Sequence, residues 1–182
     1  LVGATVSTTA TAFQLNNNGL TLTGGGVIPL SAGVTGLYQG TGQVLWIHCA
    51  GTVTGFTANS STLALQLYQV PASLLPIANT LAAAQSFTSW NSIGSQSAAS
   101  FGTTETAGSF TFDAYVQLDA QGNLMGYYDA NIGATTKAQT VITPITGLVG
   151  EQDLNFVLVA TIGTAAPAGA IVTLDELSLN YV

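Results

Sequence analysis

Charge is what this sequence most lacks. Asp, Glu, Lys and Arg together make up 5% of its 182 residues, where a soluble protein usually carries roughly 25%. Arg is absent and Lys137 is the only Lys. A nucleic-acid binder needs clustered basic side chains to displace the counterions of the phosphate backbone, so no nucleic-acid partner is expected. A membrane surface read through a polybasic patch is excluded on the same ground. Cysteine is nearly missing too. Cys49 has no second cysteine to pair with, so no intrachain disulfide forms, and its apolar surroundings Val44-Leu45-Trp46-Ile47-His48 mark it as a small buried hydrophobe. No apolar run approaches the ~18 residues of a membrane-spanning helix. The start of the chain, Leu1-Val2-Gly3-Ala4-Thr5, has no basic segment leading into an apolar one, so no intact signal peptide is expected.

The inventory for chemistry is equally thin. His48 is the only His, and its neighbour Cys49 faces the opposite side of a strand, because side chains alternate. The two cannot form a dyad, and with no acid nearby in sequence His48 reads as a satisfied histidine on a sheet face. Zinc wants three or four ligands at tight spacing, which one His and one Cys do not supply. Calcium wants clustered oxygens. The loops Asp119-Ala120-Gln121-Gly122-Asn123 and Glu151-Gln152-Asp153 are too sparse for this alone, and whether Glu151 or Asp153 joins Asp175 and Glu176 stays open at this point. Glu105, Asp113, Asp119 and Asp129 could pair as glycosidase acids. Asp113, however, simply takes the polar face of an alternating strand, and the charged groups that position a sugar for hydrolysis are scarce. Gly24-Gly25-Gly26 is followed by no Lys-Ser/Thr pair, so it is not a phosphate loop. Asn59-Ser60-Ser61 matches the glycosylation sequon, a pattern common by chance. No enzymatic activity, cofactor or metal is expected.

What the sequence has in quantity is apolar residues, 47% of the chain. That supplies a core for about one domain of this length, spanning 1–182. Phe110, Phe112, Ala114, Val116 and Leu118 alternate with Thr111, Asp113, Tyr115 and Gln117, the period of a half-buried strand. Leu63, Leu65 and Leu67 do the same, and Gln43 to Val53 reads as a long strand. Leu154, Phe156, Leu158, Ala160 and Ile162 make one apolar face, and Val157 and Val159 begin a second, so this strand is expected to be covered on both sides. In the last strand, Ile171 to Val182, the alternation shifts by one residue near Asp175-Glu176, which predicts a β-bulge. Asp119-Ala120-Gln121-Gly122-Asn123 is a hairpin loop, with Gly122 free to take positive φ. Ile77 to Ala84 has the composition of a short helix, limited on its N-terminal side by Pro76. Trp90 to Gly108, rich in Ser, Gly and Thr, reads as a long loop. Eight to ten short strands with Gly-rich turns predict an all-β sandwich, best matched in length by a jelly roll.

Two features point outward. All nine charges lie between Glu105 and Glu176, giving a net charge of −7, so the first 104 residues must wet their surface with Ser, Thr, Asn, Gln and Gly alone. Such a surface lacks the dispersed charges that keep free monomers apart. The second feature is the aromatics. Tyr68 and Tyr115 take polar-face positions in their strands, and with Tyr127 and Trp90 they are the candidate contacts for a glycan or a partner. Cross-strand packing under a neighbouring loop is the competing reading of the same residues.

In its neutral, β-rich style, its single unpaired Cys and its terminal strand Val172-Thr173-Leu174-Asp175-Glu176-Leu177-Ser178-Leu179, the chain resembles the jelly-roll decoration, or cement, proteins of tailed-bacteriophage heads. That resemblance implies a virion structural protein on the capsid surface, assembled in the host cytoplasm, with the major capsid protein and itself as partners, and a homotrimer as the favoured state. Leu174-Asp175-Glu176-Leu177-Ser178-Leu179 also resembles the last strand of jelly-roll carbohydrate-binding modules, which implies an extracellular glycan-binding or host-adhesion role. A subunit of a bacterial surface layer or fibre is a third reading. Apart from any resemblance, strands with two apolar faces favour an oligomer that covers the faces one domain cannot hide. Residues 1–13, uncharged and β-branched, are expected either to leave as an arm that pairs with a neighbouring subunit or the capsid, or to form an edge strand at home.

Overall fold

The computed structural model describes residues 4–6, 11–14, 28–31, 42–55, 62–70, 90–98, 107–148, 153–162 and 170–182. Eleven strands run through them: β1 (Ala4–Val6), β2 (Thr11–Gln14), β3 (Ile28–Ser31), β4 (Leu45–Thr54), β5 (Leu63–Val70), β6 (Asn91–Ala98), β7 (Gly108–Leu118), β8 (Leu124–Ile132), β9 (Thr135–Val141), β10 (Asp153–Ile162) and β11 (Ala170–Tyr181). They form two antiparallel sheets. One has six strands in the order β1-β11-β4-β7-β8-β9; the other runs β2-β10-β5-β6, with β3 also paired to β10.

The pairing is nested. The first strand lies on the last, β1 on β11, and the next two lie on the next-to-last, β2 and β3 on β10. Inside that frame β4 joins β11 to β7, and β5 joins β10 to β6. Two sheets that exchange strands this way form a jelly roll, here widened by the β8–β9 hairpin. Within the N-terminal stretch, Ala4–Val6 pairs with β11 and Thr11–Gln14 with β10 of the chain's own sheets.

The core between the sheets follows from the alternation. β4 contributes Leu45, Ile47, Cys49 and Val53; β7 contributes Phe110, Phe112, Ala114 and Val116. The opposite sheet meets them with Leu63, Leu65, Leu67, Leu154, Phe156 and Leu158. Cys49 is fully buried, and desolvation, followed by the charge of Asp113, pushes its thiol far above the ordinary range, so it is inert as a nucleophile. Val157 and Val159 on the other face of β10 are buried as well. β11 shifts register between Leu174 and Glu176, so that Leu174 and Leu177 sit opposite inward positions of β4 on either side of one bulge. At the β7–β8 turn, Gly122 has φ 77°. There Asp119 accepts hydrogen bonds from the backbone N–H groups of Gln121 (2.9 Å) and Asn123 (2.8 Å) and from the Asn123 amide (2.8 Å).

Part of the segment expected to be a loop is a strand. Asn91–Ala98 pairs with β5, with a bulge at Leu67/Tyr68. Its Ser- and Gly-rich composition is overridden by tertiary contacts: Ile93 is buried, and Gly94 lies under the ring of Tyr128, where any Cβ would collide. The expected helix at 77–84, the sequon at Asn59 and Glu151 lie outside the described residues.

Candidate functional site

The outward side of the six-stranded sheet gathers Trp46, His48, Asp113, Tyr115, Tyr127 and Asp129. Antiparallel register sets the rows. One row runs Ser178, His48, Asp113, Asp129 across β11, β4, β7 and β8; the next runs Asn180, Trp46, Tyr115, Tyr127, Val141 and reaches β9. Each residue lies on the polar phase of its strand, so the alternation that built the core also built this face.

Asp113 is its anchor. One carboxylate oxygen, Oδ1, accepts from the Trp46 indole N–H at 2.8 Å and lies 2.7 Å from His48 Nδ1. An ionised carboxylate only accepts, so His48 donates to it from Nδ1–H. Both side chains of this pair are mostly shielded, 19% and 18% exposed. Asp129 stands directly opposite Asp113. Partial burial, and then the Asp113 charge, hold its carboxyl above the ordinary range. Tyr115 is pushed the same way by burial, Asp113, Tyr127 and Asp129, in that order.

The aromatics form a continuous stack. Trp46 and Tyr115 are nearly parallel, with centroids 6.1 Å apart and planes at 8°; Tyr115 and Tyr127 follow at 4.9 Å and 25°. At 4.9 Å two rings cannot lie side by side, since their carbon edges need about 3.5 Å between them. Tyr115 and Tyr127 therefore overlap face to face and stand upright on the sheet. Beyond Tyr127 lies an open hollow of about 380 Å³, lined by Gln117, Met125, Gly126, Tyr127, Gln139, Val141, Ile142 and Pro144.

A larger cleft, about 600 Å³, opens between β6 and the 140–146 segment. Trp90, Asn91, Ser92, Ile93, Gly94 and Ser95 form one wall; Tyr128, Thr140, Val141, Thr143, Pro144, Ile145 and Thr146 form the other. No lining residue is charged.

The four aromatics singled out from sequence thus do not form one platform. Tyr115 and Tyr127 share the outer face. Tyr68, expected on a polar face, is buried at 6% exposure, and its ring meets Trp90 edge-on at 5.5 Å in the other sheet. The bulge beside Tyr68 changes which side chains lie level with it on β6. Sequence reading also left His48 without an acid partner. The structure supplies Asp113 from 65 residues away, and Trp46 joins through the same oxygen. The available signal was that all three lie on polar phases of long alternating strands. Among the described residues no group of three or more His, Cys, Asp or Glu side chains could hold a metal.

No family model matches this chain, and no curated protein does. Among solved structures it is similar to a family 7 alginate lyase, A1-II′, in complex with product (10% identity, TM-score 0.31, covering 80% of this chain and 64% of that one). It is similar also to a second structure of alginate lyase A1-II′, a member of polysaccharide lyase family 7 (12% identity, TM-score 0.31, covering 80% and 63%). The chain spans less than two thirds of those enzymes' length, and the activity in their titles is said of them alone.

Proposed function

We propose that this chain is a non-enzymatic virion structural protein that decorates and stabilises a bacteriophage capsid from its outer surface, docking on the major capsid protein, with a homotrimer as its favoured assembly. The observation that carries the reading is the open edge of β6. Proteins guard exposed edge strands with charge, proline or bulges, because an unpaired row of N–H and C=O groups invites another chain. β6 is eight residues long, Asn-Ser-Ile-Gly-Ser-Gln-Ser-Ala, with no charge and no proline, and its one guard is the bulge at Ile93. Among the described residues no strand pairs with its outer side. The uncharged cleft runs along six of the residues from Trp90 to Ser95 and suits an extended segment of a partner added as a further strand. An edge with neither charge nor proline supports the reading of a protein that spends its life assembled.

Washed phage particles analysed by quantitative mass spectrometry should contain the chain in a fixed whole-number ratio to the major capsid protein. Its absence from them would end the capsid reading. Ser92→Lys with Ser95→Lys should loosen attachment while leaving the melting temperature nearly unchanged; attachment unaffected by both lysines would remove β6 from the interface.

A second reading, a carbohydrate-binding or host-adhesion module, is supported by the Trp46–Tyr115–Tyr127 stack on the outer face of the other sheet.

A further inference from the structure

We infer that the hollow beyond Tyr127 is a binding site for an uncharged sugar residue, entered from the solvent side of the six-stranded sheet. This deepens the carbohydrate-binding reading and does not depend on the capsid one. Tyr115 has given a face to Tyr127, so it cannot serve as a sugar platform there. Tyr127 stands between Tyr115 and its other cross-strand neighbour, Val141. Its second face is turned toward β9, where the hollow lies, and the residue is 36% exposed. The stack behind it fixes the ring upright, so a ligand ring meets a surface already in place and orders little on binding.

The rest of the lining selects the ligand. Met125, Val141, Ile142 and Pro144 make the walls apolar, and the amides of Gln117 and Gln139, with the Tyr127 hydroxyl, are the polar groups among the lining side chains. Neither amide is hydrogen-bonded to a described residue. An amide offers both two donors and an acceptor, which matches hydroxyl groups that themselves donate and accept. One flat apolar face with hydroxyls around its rim is the chemistry of a hexose ring. Charge excludes the acidic sugars. No Lys or Arg lines the hollow, and Asp113 and Asp129 occupy the adjacent row. A uronate would meet repulsion without a counter-charge.

The test uses the intact chain, titrated by calorimetry and by NMR with short neutral hexose oligosaccharides, and with uronic-acid oligosaccharides as the counter-probe. Binding of a neutral oligosaccharide is expected, weakened at least tenfold by Tyr127→Ala and retained within a few fold by Tyr127→Phe, which keeps the stacking face. Gln117→Ala should weaken it less than Tyr127→Ala. If no neutral oligosaccharide binds, both this site and the carbohydrate-binding reading fall. If one binds and Tyr127→Ala leaves its affinity unchanged, the reading stands and the hollow is the wrong site. A preference for the uronic-acid probes overturns the charge argument and the proposal with it. Matching melting curves for the variants separate lost binding from lost folding.

Discussion

The two sheets were made by the same period-two rule and ended up with opposite outsides. On β10, the outward residues Val157 and Val159 are as buried as the inward ones, and Tyr68 beside them on β5 is closed off too. On β4, β7 and β8, the outward residues include Trp46, His48, Asp113, Tyr115, Tyr127 and Asp129, partly wet, with Trp46 and His48 hydrogen-bonded to Asp113 and Tyr115 stacked on Tyr127. Their edges differ as well. β9 carries Lys137, whereas β6 carries no charge at all. A strand's inner face thus says which fold it belongs to, while its outer face says what the molecule is free to touch. The outer face of the five-stranded sheet is organised for packing and the outer face of the six-stranded sheet for contact.

The sharpest way to break this contrast is to place a charge on each outer face. Val157→Asp should cost about 4 kcal/mol or more, enough to unfold a marginal domain, because an unpaired carboxylate is forced into a fully buried position. Thr111→Asp, on the half-open outer face of β7, should stay within about 1 kcal/mol of the parent. Urea denaturation followed by tryptophan fluorescence checks both, and similar losses for the two would erase the distinction.

The aromatics allow a gentler comparison. Tyr68→Ala should cost about 3 kcal/mol, as for other buried rings. Tyr127→Ala removes a partly exposed ring and should cost less than about 1.5 kcal/mol, roughly the worth of one stacked pair. Equal losses would mean that Tyr127 is structural and not poised for a ligand.

Next in size is Asp113. Asp113→Ala leaves the Trp46 and His48 N–H groups without their acceptor, for a loss of about 1–3 kcal/mol. Asp113→Asn keeps an acceptor oxygen and removes the charge facing Asp129, so its loss should be smaller. In the same spectra, NMR of the imidazole should show the Nδ1–H tautomer in the parent and a mixture in Asp113→Ala.

The smallest effects are those of pH. Asp129 is held above its ordinary value of 3.8 by burial and Asp113. Its contribution is therefore fully present below 3.8 and is lost as pH rises through the raised folded value. Asp119 is held below 3.8, first by the Asn123 backbone and side-chain hydrogen bonds. Its contribution is present above 3.8 and is lost as pH falls through the lowered value. Asp129→Asn should then stabilise slightly at neutral pH and not in acid, whereas Asp119→Ala should destabilise at neutral pH and not in acid. Solvent screening keeps both changes small. Denaturation midpoints measured across the acid range would reveal a reversed sign in either.

Much of this was readable without coordinates. The alternations of β4, β5, β7 and β10, the second apolar face at Val157 and Val159, the bulge at Asp175 and the Asp119–Asn123 hairpin are local patterns, and local patterns follow from the period of the strand. β6 was not readable, because Asn-Ser-Ile-Gly-Ser-Gln has no apolar alternation and is held by β5 and by the ring of Tyr128 over Gly94. Tyr68 was misplaced because a period-two pattern assigns a phase and cannot tell whether that phase is left wet.

The sequence by itself determined the class of molecule: its poverty in Lys and Arg, its single inert Cys, and strands whose inward phase is apolar. Tertiary structure alone decided the site. The sequence specifies that His48, Asp113 and Tyr127 each point away from the core. Only the strand order, β4 beside β7 beside β8, brings them onto one face. That order is set by the nested closure of the whole chain, with the last strand laid against β4, and no window of sequence short enough to show a period contains it.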